Sequence, residues 1–137
     1  MLLYFVQQLK SLVFLDLSHT LVSDAGLLGL ENLPRLQTLK LRRTVYPDII
    51  PQASGRISDE GLRHISKVDS LHNLDLSGGV FTGEGLKFLR RLPSLKSLTF
   101  YQTWSFGDEE LKSISQCRNL ESLKLCKSGT YKDESIA

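Results

Sequence analysis

Apolar residues recur along this chain in a fixed pattern. Counted from the first leucine of each unit, positions 1, 4 and 6 are apolar and position 9 is small or polar, as in "LVFLDLSHT" and "LHNLDLSGG". The units begin at Leu12, Leu36, Leu71, Leu95 and Leu120, with even spacing except where the second unit carries an insertion. The alternation around positions 4 and 6 has period two, which predicts a short strand with one buried face in every unit.

The second half of each unit changes to a helical period. A small residue and an acid or glycine come first, and apolar residues three apart follow, which form one stripe of a helix. The stripes are Leu27, Leu30 and Leu33; Leu62, Ile65 and Val68; Leu86, Leu89 and Leu92; and Leu111, Ile114 and Cys117. We expect Ser23, Ser58 and Thr82 to cap these helices, and the acids that follow, such as Asp24 and Asp59, to favour the positive end of the helix dipole.

The units "LVFLDLSHTLVSDAGLLGLENLPR" and "LHNLDLSGGVFTGEGLKFLRRLPS" resemble leucine-rich repeats of the T/S-D-x-G-L type. They are similar to the repeats of F-box leucine-rich-repeat proteins and of bacterial and protozoan leucine-rich-repeat proteins, and the resemblance covers essentially the whole chain. It implies an α/β solenoid with a curved parallel sheet on its concave side and short helices on its convex side. We therefore expect one domain over residues 1–137, with about five repeats and partial repeats at both ends.

The residues between the strand leucines are expected to form the outer surface of this sheet. Stacking the units in register predicts three outward rows across the five strands. The first row is Phe14, Thr38, Asn73, Ser97 and Ser122; the second row is Asp16, Lys40, Asp75, Thr99 and Lys124; the third row is Ser18, Arg42, Ser77, Tyr101 and Cys126. Identical leucines would thus keep the fold, while the spacer residues define a surface.

A candidate partner-binding site lies on these rows. Its members are basic or aromatic, and Arg, Tyr and Trp are the residues that most often dominate binding energy. The candidates are Lys40, Arg42, Arg43, Tyr101, Gln102, Trp104, Lys124 and Lys127. A plainer interpretation stays open for the lysines and arginines, which would then belong to a solvated face, and Trp104 could instead fold over the turn after its strand.

An insertion at residues 45–56 distinguishes the second unit. It contains two prolines, polar turn-forming residues and the apolar group Tyr46, Ile49 and Ile50. Long loops inside compact domains are usually functional or disordered. Its place after Arg42 and Arg43 would let Tyr46, Ile49 and Ile50 form a wall of the concave site, whereas the alternatives are a disordered loop or isoleucines that cover the core.

Composition and motifs exclude several function classes. A formal net charge of +2 does not favour a nucleic-acid partner or an anionic membrane surface, and no apolar stretch approaches the length of a membrane helix. The two cysteines, Cys117 and Cys126, have no companion pair or suitably spaced histidine, so no metal site is expected, and a reducing intracellular, cytoplasmic setting is favoured. No catalytic or cofactor-binding motif is present, so neither an enzyme nor a cofactor is expected.

These observations predict a protein-protein interaction module that binds a protein or peptide on its concave face. By fold-level analogy it could be the substrate-recognition part of a ubiquitin ligase or another adaptor. Two alternatives remain: a structural fragment of a longer repeat array, and a binder of a phosphorylated or nucleic-acid ligand through the local basic patch. Neither end of the chain carries a polar capping motif, so self-association through uncapped ends is also expected.

Overall fold

The computed structural model describes residues 2–43, 57–101 and 106–126. Within these ranges five strands alternate with short helical segments. The strands are β1 (Phe14–Asp16), β2 (Thr38–Lys40), β3 (Asn73–Asp75), β4 (Ser97–Tyr101) and β5 (Ser122–Cys126). The α-helices are α1 (Leu2–Val6), α2 (Asp59–Ile65), α3 (Gly83–Leu86) and α4 (Asp108–Ile114), and 3-10 helices cover Asp24–Leu27, Leu30–Asn32 and Lys87–Arg91. The insertion at residues 45–56, with Tyr46, Ile49 and Ile50, lies outside the described residues.

The strands form one parallel sheet in the order β1-β2-β3-β4-β5. Each strand pairs with the strand of the next unit, and the pairing keeps the same position of every unit opposite its counterpart. Leu39, for example, lies opposite Leu15 on one side and Leu74 on the other. The predicted α/β fold with a parallel sheet is confirmed, and so are the first and second rows over all five strands.

The core lies between the sheet and the helical segments. The leucines of β2, β3 and β4 and most of the helical stripes form one continuous cluster of buried side chains, whereas Leu123 and Leu125 of β5 are 40% and 41% exposed. Leu39 and Leu98 from the sheet and Leu62 and Leu86 from the helices have no exposed surface at all. Burying each such side chain contributes about 1.5–3 kcal/mol relative to leaving it in water, so the repeated leucines supply most of the stabilisation that one unit gains from its neighbours.

The helical segments are less regular than the sequence predicts. In the first unit two 3-10 helices replace the expected α-helix, because Gly29 between them adopts a φ of 90° and interrupts the α-helical turn. In the third unit α3 has only four residues and continues as a 3-10 helix. Most of the predicted stripes are nonetheless buried, with Leu111, which is 41% exposed, as the clearest exception.

Ser23, Ser58 and Thr82 occupy the predicted N-cap positions, but only one of their side chains caps its own helix, and the acids act between units. Thr82 accepts a weak cap hydrogen bond from the Gly85 N–H, while Ser23 and Ser58 accept none. Instead, the Asp24 carboxylate accepts hydrogen bonds from both the N–H (2.8 Å) and the hydroxyl of Ser58 in the next unit. Asp59 accepts the same pair from Thr82, at 2.9 and 2.6 Å. We call each such pair an aspartate clamp.

Each clamp requires a glycine beside its carboxylate. A Cβ on Gly61 would lie 2.4 Å from an oxygen of Asp24, and one on Gly85 would lie 1.9 Å from an oxygen of Asp59. The S/T-D-x-G pattern therefore has a packing reason: the hydroxyl residue receives the previous unit's aspartate, the glycine makes room for it, and the unit's own aspartate reaches forward.

The junction between the third and fourth units lacks the clamp, and all three of its elements are replaced together. Gly83 stands where Asp24 and Asp59 stand in earlier units, Gly107 replaces the hydroxyl residue, and Glu110 replaces the glycine. The Gly107 N–H is instead satisfied within its own unit by the Glu110 carboxylate, at 2.9 Å. Because all three are replaced together, we infer that the aspartate, the hydroxyl residue and the glycine make a single contact between neighbouring units.

This interpretation predicts a non-additive pair of substitutions. Gly85→Ala should cost about 1–3 kcal/mol of unfolding free energy, because the new methyl group overlaps the Asp59 side chain. Asp59→Gly removes the clamp and the overlap together, so the double variant should be little less stable than Asp59→Gly alone. Urea denaturation of the wild type, the two single variants and the double variant measures these losses. Additive losses would show that Gly85 does not serve the clamp.

Candidate partner-binding face

One face of the sheet carries the core, and the other, which we call the open face, carries the three predicted rows. None of the described helices or strands covers it. Side chains of β2 to β5 surround a shallow depression of about 260 Å³ on this face. Lys40, Asp75, Thr99 and Lys124 of the second row line the depression, together with Arg42 and Tyr101 of the third. The depression is therefore polar and open to solvent.

Charges alternate along the second row. Asp16 on β1 lies opposite Lys40, which lies opposite Asp75 on β3, then Thr99 and Lys124 follow. Neighbouring strands are about 4.8 Å apart, so opposite charges face each other across the first two strand pairs. The row is thus balanced at its β1 end and carries an excess of positive charge at its β5 end.

The repeated sequence "LDLS" builds the same hydrogen-bond arrangement twice. Its serine hydroxyl accepts a backbone N–H from a strand of the next unit: Ser18 from Arg42 at 3.2 Å, and Ser77 from Tyr101 at 3.0 Å. Its aspartate accepts the serine's own N–H, at 2.9 Å for Asp16 and 3.0 Å for Asp75. The serine side chain thereby extends the ladder of the sheet by one further bond.

Arg42, Asp75, Ser77 and Tyr101 form a connected group that we call the Arg42 cluster. The Arg42 guanidinium lies 4.7 Å from the centre of the Tyr101 ring and 3.5 Å from a carboxylate oxygen of Asp75. Ser77 lies between Arg42 and Tyr101 in the third row and is only 1% exposed. Because serine is small, Arg42, which follows β2, reaches Tyr101 of β4 across it.

The burial of Ser77 corrects the prediction that the whole third row faces outward. Its hydroxyl is used on both sides, as a donor to Asp75 and as an acceptor from the Tyr101 N–H. A buried hydroxyl with both bonds made contributes to stability, whereas one without partners would be costly. Ser77 is therefore a structural support beneath the arginine and the tyrosine, which stay partly exposed.

Lys40 and Asp16 form a second, looser contact group near β1. The Lys40 ammonium lies 5.3 Å from the centre of the Phe14 ring, which is 52% exposed. Hydrogen bonds from the side chain and backbone of Ser18 hold the pKa of Asp16 below its ordinary value, and the nearby charge of Lys40 acts in the same direction. Asp16 is therefore a negative charge on the strand next to Lys40.

The structure does not place Arg43 in this site. Its side chain is half-buried and lines a small cavity of about 10 Å³ with Leu41, Ile57 and Gly78. One guanidinium nitrogen, Nη1, is buried without a hydrogen-bond partner among the described residues. Arg42 also borders this cavity, but unlike Arg43 it lines the depression on the open face as well.

Of the other sequence candidates, Tyr101 and Lys124 lie on the open face beside the depression. Gln102, Trp104 and Lys127 fall outside the described residues, as does the proposed loop wall. Asp75 and Ser77, which organise the Arg42 cluster, were not among the sequence candidates. Both residues belong to the predicted rows, and the in-register second row already places Asp75 next to the unit that contains Arg42.

The described residues also bear on metal binding and on membrane insertion. Within these ranges no group of three or more His, Cys, Asp or Glu side chains is placed to hold a metal ion. No helix of the described part is both long and apolar enough to cross a membrane. Cys117 and Cys126 are both free thiols, and burial raises the pKa of Cys117. The open face is therefore the main candidate site in this part of the chain.

The chain matches no protein-family model, and no curated protein is significantly similar to it.

The two LDLS units supply a matched test of how the Arg42 cluster is supported. Ser77→Ala removes the buried hydroxyl that the part-buried Tyr101 N–H donates to, and should cost about 1–3 kcal/mol of unfolding free energy. Ser18→Ala removes the same type of bond at a half-buried position that water can reach, so its loss should be smaller. Urea denaturation compares the two variants, and an equal or larger loss for Ser18→Ala would contradict the supporting role of Ser77.

Proposed function

We propose that this chain is a leucine-rich-repeat solenoid whose open face binds an extended segment of a protein partner. The observation that carries the proposal is the Arg42 cluster. It presents an arginine and a tyrosine, already in contact with each other and only partly buried, at the edge of a depression in an otherwise uncovered sheet face. Residues of these two types dominate the binding energy of many protein interfaces.

The repeated architecture supports the solenoid part of the proposal. Consecutive units pair through parallel strands in the same register, and two of their junctions carry the same aspartate clamp. A stack in which each unit contacts its neighbours is the arrangement expected of repeat proteins. The same stacking leaves the spacer side chains free to vary, which is how such proteins acquire different binding surfaces.

The shape of the open face favours a protein segment over a small molecule. Ligand pockets usually enclose most of a small molecule in a volume of about 300–1,000 Å³. The depression is smaller, shallow and open, and its lining spans four neighbouring strands. An extended chain laid across these strands could contact the second and third rows together, whereas a small molecule would stay largely in water.

Preorganisation of the Arg42 cluster also favours binding. Arg42 is held by its ion pair with Asp75 and its contact with Tyr101, and the Tyr101 backbone is fixed by Ser77. Ordering a free arginine or tyrosine on binding costs about 0.5–1.5 kcal/mol per side chain. Much of that cost is already met in the unbound chain, so contacts made by these residues add more directly to affinity.

The alternative of a nucleic-acid or phosphate binder has less support. That alternative placed the ligand on Lys40, Arg42, Arg43, Lys124 and Lys127. Of these, Arg42 is paired with Asp75, Arg43 does not line the depression, and Lys127 lies outside the described residues. The narrower role of substrate recognition in a ubiquitin ligase, or of another adaptor, draws its support from the T/S-D-x-G-L resemblance and is consistent with peptide binding on this face.

Selection from a phage-displayed library of random dodecapeptides tests the proposal. We expect the wild type to enrich a common motif. The double variant Arg42→Ala with Tyr101→Ala should lose about 2 kcal/mol in affinity for the enriched peptides, about 30-fold, as expected when interface anchors are truncated.

The control double variant Arg63→Ala with Lys87→Ala removes two exposed cations from the helical side, where they pair with Glu60 and Glu84. It should bind the enriched peptides as the wild type does. Circular dichroism confirms that each variant is folded. Equal enrichment by the wild type and the Arg42/Tyr101 variant, or a larger loss in the control, would refute the open face as the binding site.

A further inference from the structure

We infer that the segment bound by the open face is acidic and extended, with two carboxylates four residues apart that pair with Lys40 and Lys124. This inference rests on the proposed function and specifies its ligand. It follows from the distribution of charge and hydrogen-bonding groups around the depression, together with the spacing that the parallel register imposes on them.

The depression has an excess of positive charge. Three cations line it, Lys40, Arg42 and Lys124, against a single carboxylate, Asp75. That carboxylate is already engaged, because Ser77 donates to it through both its N–H and its hydroxyl and Arg42 pairs with it. Asp75 therefore offsets Arg42 and leaves the two lysines as the groups that a ligand could neutralise.

The two lysines differ in their surroundings, and the difference favours an anion near β5. Lys40 has Asp16 opposite it on β1. Lys124 is exposed and lies opposite Thr99, a neutral residue, whereas Lys40 also has Asp75 opposite it on β3; neither lysine forms an ion pair with another described residue. An incoming carboxylate would meet an uncompensated charge at Lys124 and a partly compensated charge at Lys40, so Lys124 should contribute more of the electrostatic attraction.

The floor between the lysines is built of small polar side chains. Thr38, Asn73, Ser97 and Thr99 line the depression, and the Asn73 amide donates to the Thr38 hydroxyl at 3.1 Å. Hydroxyl groups can donate to carboxylate or carbonyl oxygens. An apolar helix laid here would leave these groups without partners at a cost of about 1–3 kcal/mol each. A polar, extended segment avoids that penalty.

The register sets the spacing of the two acids. Lys40 and Lys124 occupy the same row on β2 and β5, three strand spacings apart, or about 14 Å. An extended peptide advances about 3.3–3.4 Å per residue and points alternate side chains to the same side. Four residues cover about the same distance and return to the same side, so carboxylates at positions i and i+4 reach both lysines.

Asp75 adds a negative selection between these positions. It lies on β3, one strand beyond Lys40, and therefore under the middle of the bound segment. A carboxylate at position i+2 would lie between Asp75 and Thr99 and would be repelled by the first of them. A hydroxyl or another neutral side chain at i+2 suits that place, so the spacing of the acids should matter as well as their number.

Blocked nonapeptides of serine and glutamate test the inference by isothermal titration calorimetry. The first has glutamate at its third and seventh positions, the second has glutamate at its third and fifth positions, and the third contains serine only. We expect the first to bind the wild type most tightly, although the second has the same net charge. Raising the salt concentration should weaken its binding, as expected for exposed ion pairs.

Charge-neutral variants identify the groups responsible. Lys40→Gln and Lys124→Gln should each reduce affinity for the first peptide by up to about fivefold, with the larger loss at Lys124, and should reduce its preference over the second. The matched controls, Lys67→Gln and Lys112→Gln, remove exposed lysines from the helical side and should leave affinity unchanged.

The outcomes separate this inference from the proposed function. If the serine peptide binds as tightly as the first and both lose affinity in Tyr101→Ala, the open face binds peptides but the acidic preference is wrong. Equal affinity for the two glutamate peptides would overturn the spacing. Tighter binding of a single-stranded oligothymidylate than of the first peptide would overturn the acidic-peptide assignment. Failure of all peptides, together with failure of the dodecapeptide selection, would overturn both proposals.

Discussion

The in-register stacking of one leucine per strand is the constraint on which the rest of this structure depends. Leu39, Leu74 and Leu98 lie opposite one another in the sheet and are almost entirely buried. A slip of one residue in any strand pair would turn these leucines to solvent and bury the charged spacers, so the register is strongly specified. The same constraint fixes the open face, because once the leucines are aligned the residues between them must align too. The alternating charges of the second row, and the neighbouring positions of the Arg42 cluster, are consequences of burying the leucines.

The aspartate clamps show how the helical side keeps the same stacking. A helix begins with backbone N–H groups that have no partner within the helix. In the second and third units the previous unit's aspartate satisfies the first of these groups and binds a hydroxyl as well, so one carboxylate joins two units. In the fourth unit Glu110 performs the local part of this task, and the link to the previous unit passes instead through the Ser113 hydroxyl, which donates to the Gly83 carbonyl at 2.8 Å. The sheet and the helical segments thus repeat with the same spacing. Buried leucines hold the register of the sheet, and hydrogen bonds between units hold that of the helical segments.

Much of the fold followed from the sequence, because strand alternation and helical stripes both report burial. The strand positions were predicted from the spacing of the leucines, and the parallel order and the first two rows from the resemblance to leucine-rich repeats; all are confirmed. Ser58 occupies the predicted N-cap position, but its hydroxyl binds the preceding unit and does not cap its own helix. A serine followed by an aspartate has the same local pattern in both cases. The interaction of Arg42 with Tyr101 could not be read from neighbouring strands, since it crosses an intervening strand and depends on the small size of Ser77. Arg43 does not line the depression, because its guanidinium is partly buried beside Leu41 and Ile57.

Methyl contacts between neighbouring strands test the central claim most directly. In a protein with labelled leucine methyl groups, nuclear Overhauser effects measured by nuclear magnetic resonance report which leucines touch. The stacked register predicts effects from Leu39 to Leu74 and from Leu74 to Leu98, while Leu39 and Leu98, two strand spacings or about 10 Å apart, should show a much weaker effect or none. The account would be contradicted if Leu74 showed no effect to Leu39 and none to Leu98. It would also be contradicted if Leu74 contacted residues of the neighbouring strands other than these two leucines.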